Sequence, residues 1–216
     1  ARLYGNNPDG ILQLTYNTRH QQVNLHHLEM VAMVEGAGTA VEITSPPGGA
    51  QDKRVVTAMD IDMGAPANSP FYFNRGLLVT GLYRPLIQDC SFHRSTGGDL
   101  GDGSTNFLPA AAFDVSDCYA PVIENCSVSG AAVAYDFVTA PDSTPEDGAV
   151  RDSTADFCRI GVRFHQTDGV EPTFWVTGCD IRVRDVGVWV KNRRICNVTD
   201  NVFRQLSTTH PLTDIQ

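Results

Sequence analysis

Long apolar runs and concentrated positive charge are both absent from this sequence. No stretch approaches the roughly 20 apolar residues that cross a bilayer, so we expect no membrane insertion. Acidic residues outnumber basic ones by 25 to 16, for a net charge of −9. The basic residues form no run longer than Arg193-Arg194, whereas nucleic-acid binding needs a concentrated positive face. We therefore expect no nucleic-acid partner.

The six cysteines lack the CxxC spacing of a zinc site. Their contexts, among them DCSF, NCSV, FCRI and GCDI, are apolar and strand-like. This pattern is typical of buried thiols that serve as small hydrophobic side chains. Reduced, buried sulfur also fits a protein that folds in a cytoplasm. We predict no metal and no cofactor.

Two kinds of short alternating segment recur along the chain. The first kind is LEM (28–30), MDI (59–61), CSF (90–92), CSV (126–128), ADF (155–157), CDI (179–181) and NVF (201–203). The second kind is GTAVE (38–42), GLLVT (76–80), AAAFD (110–114), VAYD (133–136), GVRFH (161–165) and GVWVK (187–191). Alternation with period two indicates strands with one buried face. Their joint recurrence predicts a solenoid of strands.

The repeat predicts an all-β fold, a right-handed parallel β-helix of about six to seven coils with projecting loops. We place the β-helix at 20–205, after a provisional N-terminal segment at 1–20 and before a C-terminal extension at 206–216. The start at Ala1 and the abrupt end suggest a processed or truncated piece. The loops are the inserts 44–53, 64–70, 95–109 and 139–149, rich in Pro, Gly, Asp and Ser. Residues 20–36 would also make a passable helix, although we favour a strand.

Stacking of successive coils places equivalent residues about 4.8 Å apart. One predicted interior ladder contains Cys90, Cys126, Ala155 and Cys179. The next contains Phe92, Val128, Phe157 and Ile181. The second sheet is predicted to bury Val41, Val79, Phe113, Tyr135, Phe164 and Val190. An outward column is predicted to contain Glu42, Thr80, Asp114, Asp136, His165 and Lys191.

Three segments carry a resemblance to a known superfamily: RPLIQDCSFHRS (84–95), APVIENCSVSG (120–130) and WVTGCDIRVRDVGVWVKN (175–192). They resemble the pectate-lyase-like right-handed β-helix superfamily, and more particularly the β-helical bodies of bacteriophage tailspikes. Phage members commonly begin with an acidic, Gly-rich stretch and a capping helix, and nothing at 1–20 matches it cleanly. No trimerisation module is visible after Arg204. The homotrimeric state is therefore an implication of the resemblance alone.

Asp114 and Asp136 are the predicted catalytic residues, together with His165. Adjacent coils would bring the two carboxylates close to the separation of about 5 to 5.5 Å in retaining glycosidases. Their mutual repulsion would raise one pKa and leave an acid beside a base. His165, one coil further on, could orient or share a proton. The alternative is that outward positions on a coil simply have to be polar, which requires no function.

Trp189, Arg163 and Lys191 are the predicted substrate-binding residues. An exposed tryptophan offers a flat apolar face for a sugar ring, and Ala112 and Ala134 would form a low groove floor beside the aspartates. Alternatively, Trp189 is covered by a loop or by a subunit interface.

The resemblance and the outward residues together predict a phage tail protein that binds host surface polysaccharide. We expect it in the virion, as a homotrimer in contact with other tail proteins, after synthesis in the bacterial cytoplasm; secretion is the alternative. Depolymerase activity, by hydrolysis or by lyase chemistry, is left open. The competing hypotheses are a purely structural virion spacer and a free polysaccharide lyase or hydrolase.

Overall fold

The computed structural model describes residues 1–7, 9–16, 22–45, 55–94, 110–139, 147–166, 173–191, 195–206 and 213–215. Across these ranges the chain forms strands and no helix. The strands are β1 (Arg2–Gly5), β2 (Leu12–Thr15), β3 (Gln22–Ala32), β4 (Ala37–Thr44), β5 (Val55–Gly64), β6 (Phe73–Thr80), β7 (Leu86–Gln88), β8 (Ser91–His93), β9 (Ala111–Ser116), β10 (Val122–Glu124), β11 (Ser127–Ser129), β12 (Val133–Thr139), β13 (Gly148–Arg151), β14 (Thr154–Gln166), β15 (Thr173–Thr177), β16 (Asp180–Lys191), β17 (Ile195–Thr199), β18 (Val202–Gln205) and β19 (Thr213–Ile215). The predicted inserts at 44–53, 95–109 and 139–149 lie largely outside the described residues.

The strands form one large parallel sheet. Strands pair with strands two or three places further along the chain: β4 pairs with β6, β6 with β9, β9 with β12, β12 with β14, and β14 with β16. A second series runs β3, β5, β8, β11, β14 and β16. This all-β architecture is confirmed and is consistent with a parallel β-solenoid. The strand prediction within 20–36 is also confirmed, as β3.

Aromatic rings fill the space inside the stacked strands. The rings of Phe113 and Tyr135 stack with their centroids 5.6 Å apart. Phe164 packs in a tilted arrangement against Phe137 and Phe174, with centroids 4.9 and 4.0 Å away. All five rings are buried, and each contributes about 1.5–3 kcal/mol through removal of apolar surface from water. The buried core therefore follows the stack from layer to layer.

A column of left-handed residues marks one corner of the stack. Its members are His27, Asp60, Asp89, Asn125, Asp152, Gly178 and Asp200. Each has positive φ, which Asp, Asn and Gly tolerate better than other residues. Each also directly precedes a residue of the next ladder, which runs Leu28, Ile61, Cys90, Cys126, Ser153, Cys179 and Asn201. The chain thus turns in the same way at every layer.

Two predicted interior ladders need correction at β14. Val128 pairs with Ala155, which pairs with Ile181, so Ala155 belongs with Phe92 and Val128. Ser153 takes the place predicted for Ala155 beside the cysteines, and its Oγ accepts a hydrogen bond from the Cys126 amide at 3.1 Å. Phe157 has φ of 52° and is only half-buried. The reason is an irregular register between Asp156 and Ile160, where β14 bends.

Candidate functional site

Asp114 and Asp136 are direct partners on neighbouring parallel strands. The register pairs them across β9 and β12, as the sequence predicted. Both are buried, with 7% and 3% of their surface exposed. The two side chains lie on the same face of the strands as Arg163, but they are covered there, so the predicted solvent exposure is wrong for both carboxylates. A polysaccharide chain lying on this surface would not touch them directly.

Two arginines neutralise the two carboxylates. Arg163 Nε donates to Asp136 Oδ1 at 2.8 Å, and a second guanidinium nitrogen donates to Oδ2. Arg75 Nε lies 2.9 Å from Asp114 Oδ2, while Ser116 Oγ donates to Oδ1 at 2.9 Å. Burial raises the pKa of Asp114; Arg75 opposes this shift and Asp136 adds to it. The four charges form a compact, mutually compensated group.

His165 does not follow Asp136 in the ladder. Arg163 is the partner of Asp136, whereas His165 pairs with Val138 on one side and Lys191 on the other. The prediction was wrong by two residues because β12 continues past Asp136 to Thr139. The polar residue that ends the sequence pattern is therefore not at the same height in every layer. His165 lies beside the acid pair's arginine and not beside the acids.

Four outward side chains on β14 and β16 form a compact surface, which we call the aromatic-basic patch: Arg163, His165, Trp189 and Lys191. Arg163 pairs with Trp189, and its guanidinium carbon lies 5.9 Å from the indole ring centroid. The rings of His165 and Trp189 lie 5.6 Å apart. Trp189 is half-buried and Lys191 is exposed. The structure thus brings together the three predicted substrate-binding residues and His165.

Ala112 and Ala134 do not form a groove floor. Both are fully buried in the hydrophobic core. They lie level with Gly76 and Gly161, at which an added Cβ would meet the Phe92 and Ile181 side chains at 2.6 and 2.5 Å. Small residues are required here because this ladder faces the opposite wall of the core. The predicted floor is thus wrong, and the surface beside the acids is not a trough.

A cleft on a different face was not predicted from the sequence. It has a volume of about 380 Å³, and its walls include Tyr4, Glu29, Asp62 and His93. Glu29, Asp62 and His93 are polar residues in or directly after segments of the first kind, to which the sequence analysis assigned no site. The sequence feature that could have indicated this cleft is Gly64, because a glycine two residues after Asp62 leaves space that a side chain would otherwise fill.

The chain matches no protein-family model, no curated protein and no solved structure. Among the described residues, no group of three or more His, Cys, Asp or Glu side chains is arranged to hold a metal ion. The described ranges also include no helix that is long and apolar enough to cross a membrane. The geometry of the patch and of the cleft is therefore the basis for assigning a function.

Proposed function

We propose that the chain is the right-handed β-helix of a phage tailspike or tail fibre, about six to seven coils long, which binds host surface polysaccharide. The parallel pairing of successive strands supports this architecture, since parallel crossovers are nearly always right-handed. In this proposal the chain works in the virion as a homotrimer that contacts other tail proteins. The single observation that carries the binding function is the aromatic-basic patch.

The patch combines the two features that an acidic sugar requires. The Trp189 ring provides a flat apolar face against which the C–H side of a sugar ring can pack. Lys191 supplies positive charge, and Arg163, whose charge is balanced by Asp136, supplies the hydrogen-bond donors that Asp136 does not use. The chain as a whole carries a charge of −9, so a local basic surface is needed to hold an anionic chain. An acidic polysaccharide is the ligand class that fits best.

In this proposal Asp114 and Asp136 position the patch and do not act on the sugar. Asp136 holds the Arg163 guanidinium in one orientation through two hydrogen bonds. A bidentate pair of this kind fixes geometry as well as charge. Depolymerisation through Asp114 and Asp136 remains the alternative enzymatic reading, and it requires the covering side chains to move. Asp114→Asn and Asp136→Asn proteins that still cleave the polysaccharide would remove these two residues as catalysts.

Single-tryptophan proteins test the binding directly. The chain has two tryptophans, and the half-buried Trp175 lies on β15, which pairs with β13 and β17 and not with the strands of the patch. Trp175→Phe therefore leaves Trp189 as the only fluorophore, and Trp189→Phe is the matched control. Titration with acidic capsule oligosaccharides should change the emission of the Trp175→Phe protein in a saturable manner. The Trp189→Phe protein should show no response and weaker binding by calorimetry.

Two outcomes would contradict the proposal. Equal affinity of both variants for every acidic oligosaccharide would remove Trp189 from the site. Absence of binding in the assembled oligomer, with the patch covered by another chain, would favour the virion spacer. Lys191→Gln distinguishes the contribution of charge from that of ring stacking. It should lower the affinity for acidic oligosaccharides and leave the affinity for neutral ones unchanged.

A further inference from the structure

The cleft next to β1 contains a histidine–aspartate pair that polysaccharide binding does not use. His93 Nδ1 lies 3.4 Å from Asp62 Oδ1, and Ser91 Oγ donates a hydrogen bond to the same oxygen. The side chains of His93 and Asp62 are 45% and 49% exposed. Both line the volume of about 380 Å³, so a small molecule can reach the imidazole. Catalytic contacts often tighten from such distances once a substrate is bound.

Gly64 keeps the imidazole inside the cleft. A Cβ at this position would lie 2.3 Å from both Cε1 and Nε2 of His93. The Cε1–Nε2 side of the ring therefore occupies the space that any other residue would fill. Because Nδ1 faces Asp62, the carboxylate favours the tautomer with hydrogen on Nδ1, which leaves Nε2 as a proton acceptor.

We propose that this cleft hydrolyses carboxylic esters with a small acyl group, with His93 as general base and Asp62 as the residue that positions it. In the first step Nε2 removes a proton from a water molecule while the water oxygen forms a bond to the ester carbonyl carbon. In the second step the ester C–O bond breaks and Nε2–H returns the proton to the leaving alkoxide. The products are one carboxylic acid and one alcohol, and His93 is again neutral.

The surrounding groups favour an ester over a glycoside as the substrate. Glycoside hydrolysis requires a protonated carboxylic acid. The His93 imidazole holds the pKa of Asp62 below its usual range, and Glu29 is engaged by Arg2 at 2.6 Å. Ester hydrolysis needs only one group that accepts a proton and gives it back.

The apolar wall of the cleft sets the size of the acyl group. Val31, Met33, Ala65 and Pro66 also line the cleft. Side chains of this kind accommodate a short hydrocarbon such as the methyl of an acetyl ester. The exposed ring of Tyr4 lies at the rim of the same cleft, where the alcohol part of the ester can pack.

The charged groups that face His93 determine the pH dependence. They are Asp62 on β5, Glu29 on β3 and Arg2 on β1. The pKa of His93 is raised, chiefly by its contact with Asp62, with a further contribution from Glu29. The neutral imidazole is the active form, so activity should increase as the pH rises through this raised pKa. Asp62→Asn removes the main cause of the raised His93 pKa, so the rising part of the pH–activity profile should shift to lower pH.

The experiment uses the full chain with 4-nitrophenyl acetate. His93→Gln should lower kcat/KM by about 10²-fold, the usual contribution of a general base. His27→Gln is the matched control, because His27 Nδ1 lies 2.5 Å from Asp60 Oδ2 but its side chain is 80% exposed and lies outside this cleft. This control should retain the activity of the unsubstituted protein.

Each remaining outcome decides the question. Equal losses in the His27 and His93 variants, or no loss in the His93 variant, would show reaction with surface imidazoles and overturn the proposal. If His93→Gln fails to fold by circular dichroism, Asp62→Asn replaces it as the test. The proposal would also be overturned if the pH–activity profile of the Asp62→Asn protein rose at the same pH as that of the unsubstituted protein. Gly64→Ala, which displaces the ring, should reproduce the loss of activity.

Discussion

Arg163 on β14 holds both carboxylate oxygens of its strand partner Asp136 on β12. The two side chains are 31% and 5% exposed. One layer further on, Arg182 binds Asp156 in the same bidentate manner, through two hydrogen bonds. Those two side chains are 39% and 36% exposed. The chain thus contains one pairing geometry in a buried and in an exposed setting.

This comparison predicts a difference in stability. Asp136→Asn leaves a partly buried guanidinium without its counter-charge and should lower the free energy of unfolding by about 3 kcal/mol. Asp156→Asn removes a solvent-screened pair and should cost less than about 1 kcal/mol. Urea unfolding followed by circular dichroism measures both. Equal costs would mean that burial of Asp136 does not govern the strength of the pair.

Gly161→Ala tests the small-residue ladder. The added Cβ would lie 2.5 Å from Ile181 Cγ2 and 2.6 Å from the Gly187 carbonyl oxygen, so the backbone or the core must shift. Overpacking of this kind should lower the free energy of unfolding by about 1–3 kcal/mol. Ala134→Gly, at the equivalent position of the neighbouring strand, should lower the free energy of unfolding by about 1 kcal/mol. A Gly161→Ala protein as stable as the parent would contradict the position of this ladder inside the core.

The buried thiols should resist alkylation in the folded protein. Burial raises the pKa of Cys118 and of Cys158 to about 12, so almost no thiolate is present at pH 8. Cys196 is the half-buried cysteine and should react with iodoacetamide first. Peptide mapping by mass spectrometry gives the order of labelling. Labelling of Cys118 as fast as that of Cys196 would contradict this packing, and all six should react in urea.

The interaction between Asp62 and His93 should depend on pH in both directions. The pKa of Asp62 is lowered, so its contribution is lost as pH falls below the ordinary value of about 3.9. The pKa of His93 is raised, so its contribution is lost as pH rises above the ordinary value of about 6.5. A double-mutant cycle of Asp62→Asn and His93→Gln should give less than about 1 kcal/mol of coupling between these limits, because both groups are half exposed. A coupling that persists at pH 9 would exclude an ionic origin.

The layered pairing could be predicted from the sequence because buried residues repeat at each turn. Asp114 and Asp136 are 22 positions apart and are still direct strand partners. The height of His165 could not be predicted, because the pattern aligned the last polar residue of each segment while the strands have different lengths. Aligning on the left-handed corner would have given the true register, because Asn125 and Asp152 are 27 positions apart, as are Asp136 and Arg163.

The orientation of Ala112 and Ala134 shows a second limit of the sequence pattern. Strict alternation places them on the outside, next to the inward Phe113 and Tyr135. The strands bend at this height, so two consecutive residues face the core. A row of Ala and Gly at one height of the repeat was visible in the sequence, and close packing across a narrow core is the physical reason for it.

The left-handed corner makes each layer an interchangeable unit. The chain passes through the same backbone conformation at Asn125 and again at Asp152, one directly above the other. A segment bounded by two such corners can be duplicated or removed without altering how its neighbours join. The length of the stack can therefore change in increments of about 4.8 Å. Each increment is encoded by a single contiguous stretch of the gene.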